Sequence, residues 1–171
     1  MENNLFEQIL RGREQRAERQ RQLIETYQKP LVSLTLNIPG PDKISSPLDK
    51  VHSVGVEILE KELKNHNYAV VWKEQSVNPA GHQAFLVVDA DPRQLKELTV
   101  NIEEQQPLGR IFDYDVFDCG AKQVNRELLG LRGRTCLLCG EKTDICRRSK
   151  KHTLDELMNC INQIIKQSEV L

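Results

Sequence analysis

Residues 68–88 read YAVVWKEQSVNPAGHQAFLVV, and the fold follows from how this stretch divides. Tyr68-Ala-Val-Val-Trp72 and Ala84-Phe-Leu-Val-Val88 are rich in β-branched and aromatic side chains, and Asn78-Pro-Ala-Gly81 between them carries turn chemistry. The stretch therefore predicts a β-hairpin. Upstream, residues 47–65 place Leu48, Val51, Ile58, Leu59 and Leu63 at helical spacing behind Pro47. Before them, residues 31–38 (LVSLTLNI) alternate as a strand that ends in the Pro39-Gly40-Pro41 turn. Downstream, residues 92–105 repeat the helical pattern with Leu95, Leu98, Thr99 and Ile102 on one face, and residues 110–118 (RIFDYDVFD) read as a last strand. The order β-α-β-β-α-β predicts a single α+β domain: a ferredoxin-like, mixed or antiparallel sheet with helices on one face.

Around this 31–118 core lie three further segments. Residues 5–28 read as an N-terminal helix stopped by Pro30, and residues 132–152 as a cysteine-rich loop. Residues 153–168 read as a C-terminal helix opened by a Thr153–Glu156 capping box, with Leu157, Ile161, Ile164 and Ile165 as its apolar stripe. The 171-residue chain is 39% hydrophobic and 29% charged, as soluble globular chains are, and its formal charge of −1 gives no bulk electrostatic case for nucleic acid or membrane. No apolar run approaches the roughly 20 residues that span a bilayer. The N-terminus lacks the basic-then-apolar pattern of a signal peptide. The expectation is a cytoplasmic protein whose five cysteines are reduced thiols or metal ligands.

The strand at 110–118 carries the most chemistry. Alternation puts Asp113 and Asp115 on one face, and Phe112, Tyr114 and Val116 on the other. Two carboxylates on one rigid face can hold one or two Mg2+ ions and leave coordination positions for phosphate oxygens and water. An amphipathic edge strand gives the same pattern without a metal. Gly109 would let the backbone approach a phosphate, and Arg110 could clamp it bidentately.

Projected at about 100° per residue, the first helix gathers Phe6, Ile9, Leu10, Ala17, Leu23, Ile24 and Tyr27 on one broad side, with Glu14, Glu18 and Glu25 opposite. Arg13 and Arg16 fall inside the apolar stripe and Arg19 at its edge. Arginines aimed inward need an anion, either a triphosphate or an internal carboxylate, unless they snorkel over the core rim. Lys43, just after the Pro39-Gly40-Pro41 turn, is a further cationic candidate, or else part of a solvated turn. Cys136-Leu-Leu-Cys139, Cys146 and His152 could supply four tetrahedral zinc ligands, or a cluster of buried thiols. His52, His66 and His82 show no partner pattern and read as surface or packing residues. Arg147-Arg-Ser-Lys150-Lys151 reads as solvated tail charge or as a contact for an acidic partner.

Taken in order, several segments resemble one family. They are Arg13-x-x-Arg16-x-x-Arg19-Gln20, Pro30-Leu-Val-Ser-x-Thr35, Pro39-Gly40-Pro41-x-Lys43, Gln106-Pro-Leu-Gly-Arg-x-x-Asp113-x-Asp115-Val116, Cys136-Leu-Leu-Cys139 with Cys146, and His152 before the last helix. Together they resemble the citrate lyase holo-acyl-carrier-protein synthases, the apo-citrate lyase phosphoribosyl-dephospho-CoA transferases, over about residues 11–165. Gln106 departs from the histidine associated with that position, which is given no role. The resemblance implies a nucleotidyltransferase. It would move phosphoribosyl-dephospho-CoA from triphosphoribosyl-dephospho-CoA to a serine of the apo acyl carrier (gamma) subunit of citrate lyase, with loss of pyrophosphate. The match supplies only the positions; from the chemistry of such a transfer, Asp113 and Asp115 are expected as Mg2+ ligands, either of which could draw the serine proton. Arg110, Arg13, Arg16, Arg19, Lys43 and Gly109 would then meet the triphosphate. Two other readings are the same reaction on the malonate decarboxylase carrier, where the cysteine loop is not expected, and a non-catalytic zinc-bearing adaptor of the lyase, for which inward arginines beside two aspartates have no use.

Overall fold

The computed structural model describes residues 2–168, with side chains from residue 4. The elements are α1 (Glu2–Tyr27), β1 (Leu31–Leu36), α2 (Ser46–Asn65), β2 (Ala69–Asn78), β3 (Gly81–Asp89), α3 (Pro92–Gln105), β4 (Phe112–Phe117), β5 (Gln123–Val124), α4 (Thr143–Ser149) and α5 (Leu154–Gln167), with a 3-10 turn at Glu127–Leu129. The sheet order is β2-β3-β1-β4-β5, and every neighbouring pair is antiparallel. The first four strands thus have the split β-α-β arrangement of a ferredoxin-like fold. Of the two sheet types expected, the antiparallel one is present.

Strand alternation sorts the two faces. Leu34, Ala84, Leu86, Val88, Phe112, Tyr114 and Val116 join Leu59, Leu63, Leu95 and Ile161 in the larger core under α2, α3 and α5. Leu31, Phe85 and Val87 point the other way, against Leu23 and Ile24 of α1. The two helices of the β-α-β-β-α-β core thus share one face, as expected, and the N-terminal α1 covers the opposite face, because its apolar half matches the odd-numbered residues of β1 and β3. Helix α2 lies close on the sheet at Gly55, where a Cβ would stand 2.9 Å from Phe112 Cε1 and 3.0 Å from Leu34 Cδ2. That approach presses Phe112 and Tyr114 down and fixes which face β4 turns outward.

Other boundaries shift for local reasons. The hairpin strands extend beyond their apolar stretches to meet at Asn78↔Gly81, since pairing with β3 carries the polar run Lys73–Ser76. Arg110 and Ile111 lie in the turn before β4. β5 and α4 are too short for periodicity to announce them. The Thr153–Glu156 capping box is present, with Thr153 N donating to Glu156 Oε2 at 2.7 Å. On α1, Ile9, Leu23 and Ile24 are buried, but Phe6, Leu10 and Ala17 of the projected stripe are exposed. Among the described residues, no helix is long and apolar enough to cross a membrane.

Candidate active site

Asp113 and Asp115 share the α1 side of β4, and Phe112, Tyr114 and Val116 are buried on the other. In the sheet, Asp113 stands opposite Thr35 and Asp115 opposite Ser33 of β1. Gln20 seats α1 over this row, its side-chain amide donating to Ser33 Oγ at 2.9 Å in a buried contact. Arg16, one turn earlier, consequently faces both aspartates. Its guanidinium is pulled below the usual arginine range by burial, an effect that Asp115 opposes and Arg13 reinforces; it nonetheless stays charged at any working pH. No side-chain hydrogen bond ties Arg16 to any described residue.

The outer edge of β4 pairs with β5 at Val116 and Phe117, and before that pairing α3 closes it at Tyr114. Tyr114 N–H donates to Glu103 Oε1 at 3.0 Å, and Lys96 Nζ donates to Tyr114 O at 2.7 Å. These two charges satisfy backbone groups that would otherwise be orphaned beside the aspartates. Arg126 bonds Glu103 at 2.6 Å. Arg134 donates one guanidinium nitrogen to Asp113 Oδ1 and another to Arg110 O, each at 3.0 Å. Gln123 donates to Asp115 Oδ1 at 2.7 Å. Lys96, Asp113, Asp115, Arg126 and Arg134 are among the residues lining a cleft of about 270 Å³, a space on the scale of a phosphate group with its counter-ion.

Burial, then the neighbouring Asp113, pushes the Asp115 carboxyl up to about 6, against the pull of Lys96 and Arg16. Between pH 4 and 6 the folded chain therefore holds a proton here that the unfolded chain has released. Stability linked to Asp115 is full below the unfolded pKa and is lost as pH rises through about 6. Two pH units correspond to about 3 kcal/mol at most. Asp115→Asn is accordingly expected to raise the melting temperature of metal-free protein at pH 8, with the gain vanishing at pH 4; thermal melts at both pH values check this. Equal shifts at the two would contradict it.

The other predicted residues distribute unevenly. Asn78 donates to Gly12 O at 3.1 Å, and Lys43 packs against Gly81, so the hairpin turn draws α1 and the 37–45 loop together. Arg13 and Lys43 meet there: burial, then Arg13, lowers the Lys43 ammonium. Lys43 Nζ also donates to Ile38 O. Arg19 instead forms a bidentate pair with Glu74 at 2.7 and 2.6 Å, so its anion is the internal carboxylate. At Gly109 a Cβ would lie 2.4 Å from Glu103 O and 2.6 Å from Ile102 O, so the close approach to α3 by itself requires glycine there. Arg110 is turned to the cysteine loop, donating to Thr135 O at 2.7 Å. His52 and His82 are buried with rings 5.6 Å apart, each with an Nε2 that has no hydrogen-bond partner among the described residues, and burial, then His82, pushes His52 down to about 4.

Cys136, Cys139, Cys146 and His152 converge, with one ligand atom from each within 4.8 Å of the others. Tetrahedral zinc with bonds of about 2.3 Å to sulfur needs sulfur separations near 3.8 Å, and Cys146 Sγ lies 3.4 Å from Cys136 Sγ. His152 Nε2 is buried without a hydrogen-bond partner, as a metal-facing imidazole nitrogen would be. The cluster could bind a metal such as zinc. It is braced to the aspartates: Thr143 N and Oγ1 both donate to Arg134 O, and Arg134 holds Asp113.

Lys96, Glu103, Arg126 and Arg134 escaped the sequence reading. One signal was available: Lys96 and Glu103, two turns apart, flank the Leu95/Leu98/Thr99/Ile102 stripe with opposite charges, as a buried pair requires. Arg134, two residues before Cys136, had no pattern of its own.

Comparison with known proteins bears on this geometry. The family described as CitX, apo-citrate lyase phosphoribosyl-dephospho-CoA transferase, matches residues 5–168. Protein CitXG of Haemophilus influenzae is 36% identical over 166 residues, 96% of this chain and 35% of that longer protein, so the chain spans about a third of it. A probable apo-citrate lyase phosphoribosyl-dephospho-CoA transferase of Vibrio cholerae is 31% identical over 160 residues, 93% of this chain and 90% of the relative. The apo-citrate lyase phosphoribosyl-dephospho-CoA transferase of Citrobacter koseri is 33% identical over 151 residues, 88% and 82% of the two chains.

Proposed function

We propose, for a chain that belongs to the apo-citrate lyase phosphoribosyl-dephospho-CoA transferase family, that the β4 cleft attaches the phosphoribosyl-dephospho-CoA group to a serine of the apo acyl carrier (gamma) subunit of citrate lyase. The donor is triphosphoribosyl-dephospho-CoA, and pyrophosphate leaves. The observation that carries this reading is the aspartate pair on one strand face, with an arginine above it that no side-chain hydrogen bond engages.

The reaction is attack of a hydroxyl on the α-phosphorus of a triphosphate. It needs alignment and charge neutralisation more than a nucleophile from the enzyme. Asp113 and Asp115 are the ligands for Mg2+, which when bound would neutralise charge on the phosphate oxygens. Two carboxylates this close, one with a raised pKa, are a donor set that a divalent cation relieves. The serine proton would pass to an oxygen of Asp113 or Asp115 that the metal leaves free. Arg16 and Arg134 flank the phosphoryl group under attack. Arg13 and Lys43, at the hairpin end, receive the pyrophosphate. Arg110 and Arg19 act through others: Arg110 O holds the Arg134 fork, and the Arg19–Glu74 pair fixes the roll of α1. Zinc at Cys136, Cys139, Cys146 and His152 would be a closed structural site with no open position for substrate.

Arg16→Ala tests the anion role. Losing one charged contact to the triphosphate should raise the KM for triphosphoribosyl-dephospho-CoA about 10- to 100-fold and leave the KM for the carrier unchanged. Initial rates with each substrate varied in turn decide it, and an unaltered nucleotide dependence refutes the role.

A further inference from the structure

We infer that the strap of residues 126–151 is the surface on which the carrier docks, through acidic side chains that this inference requires of it, while its serine enters the cleft; this rests on the reaction proposed above. The first observation is charge segregation. Residues 126–151 hold eight Lys or Arg against three Asp or Glu, while the other 145 residues hold sixteen against twenty-two. Arg126 and Arg134 are paired internally with Glu103, Glu104 and Asp113, and the six remaining cations against three acids still leave the strap cationic in a chain whose net charge is −1. An acidic partner is repelled by the bulk of the surface and steered to this one segment.

The second observation is how the strap presents its side chains. Helix α4 buries Cys146 alone and leaves Arg147 and Arg148 in solvent; the Arg147 side chain is 78% exposed and its Asp144 partner, 3.6 Å away, 74%. The same strap exposes two apolar side chains, Leu138 and Ile145, at 41% and 54%. Exposed apolar side chains on one segment with exposed cations are the makeup of a protein interface. A nucleotide phosphate is gripped instead by convergent, half-buried donors, which here are Arg16 and Arg134.

The third is position. Arg134 belongs to the strap and bonds Asp113 at 3.0 Å, so a protein seated on the strap presents its serine beside the aspartate pair. The Cys136/Cys139/Cys146/His152 cluster gives the strap rigidity in place of a core of its own, which helps to pre-organise the docking face.

The test is charge reversal on α4, R147E/R148E, with R147A/R148A as the milder pair should reversal disturb the helix. Transfer is measured with apo-carrier and triphosphoribosyl-dephospho-CoA varied in turn, and binding of apo-carrier alone is measured by calorimetry. The expected result is a rise in carrier KM of about 10- to 100-fold for reversal and several-fold for neutralisation, with nucleotide KM unchanged. Wild-type kcat/KM for the carrier should also fall steeply between 0.05 and 0.3 M salt. An unchanged carrier KM, or a rise in nucleotide KM in its place, overturns the docking assignment. Calorimetry separates the two proposals. Carrier that binds the wild type but not the variant supports docking even where no transfer is seen, and carrier that binds both alike sinks it.

Discussion

Asp113→Ala and Asp115→Ala are each expected to reduce transfer about 10³-fold or more, because each removes an oxygen ligand where negative charge accumulates in the transition state. The fold should survive both changes. β4 is held by its opposite face, where Phe112, Tyr114 and Val116 are buried, and by Glu103 and Lys96 on the Tyr114 backbone. Neither aspartate contributes to those contacts. Circular dichroism and melting temperature should therefore stay close to wild type for Asp113→Ala. For Asp115→Ala, metal-free stability at pH 8 should not fall, since an ion destabilised by burial has been removed. Full turnover in both variants would remove the aspartates from the chemistry. Loss of turnover with collapse of the melt would mean that the pair is structural.

Cys146→Ser is expected to have the second largest effect. It leaves three of four ligands, and the strap has little apolar packing to replace the lost bond: among residues 126–151 only Cys136 and Cys146 are buried. Zinc stoichiometry, read by elemental mass spectrometry, should drop from one per chain to a small fraction. Transfer should fall about 10- to 100-fold, because Arg134 loses its brace through Thr143 and no longer fixes Asp113. The sheet should persist, since α4 lies outside both apolar clusters. Cys119→Ser, at an exposed cysteine outside the cluster, is the matched control and should change nothing. Wild-type transfer by a Cys146→Ser protein free of metal would refute the bracing role.

The elements read most closely from sequence were those whose own residues carry the signal. The turn at Asn78–Gly81, the helix at 92–105 and the Thr153–Glu156 cap are each encoded within a few neighbouring residues. The Asp113/Asp115 face was legible for the same reason, since period-two alternation is local. What was hidden depends on residues distant in sequence. Arg19 looked like Arg16 on a helical wheel, and only the bulged edge strand β2 puts Glu74 beside it. Gly109 looked like a phosphate loop glycine, and only the end of α3 shows why a side chain is excluded. Arg134 could not be placed because its position depends on Cys136, Cys139, Cys146 and His152 converging across seventeen residues. Phe6 and Leu10 obeyed the helical pattern, yet both are exposed.

The most direct test is to incubate the chain with the apo acyl carrier subunit of citrate lyase, triphosphoribosyl-dephospho-CoA and Mg2+, and to weigh the carrier intact. The account predicts a mass gain equal to phosphoribosyl-dephospho-CoA, on a serine, abolished by EDTA or by Asp113→Ala. No gain with competent carrier and folded protein, or a gain that persists in Asp113→Ala, would contradict it.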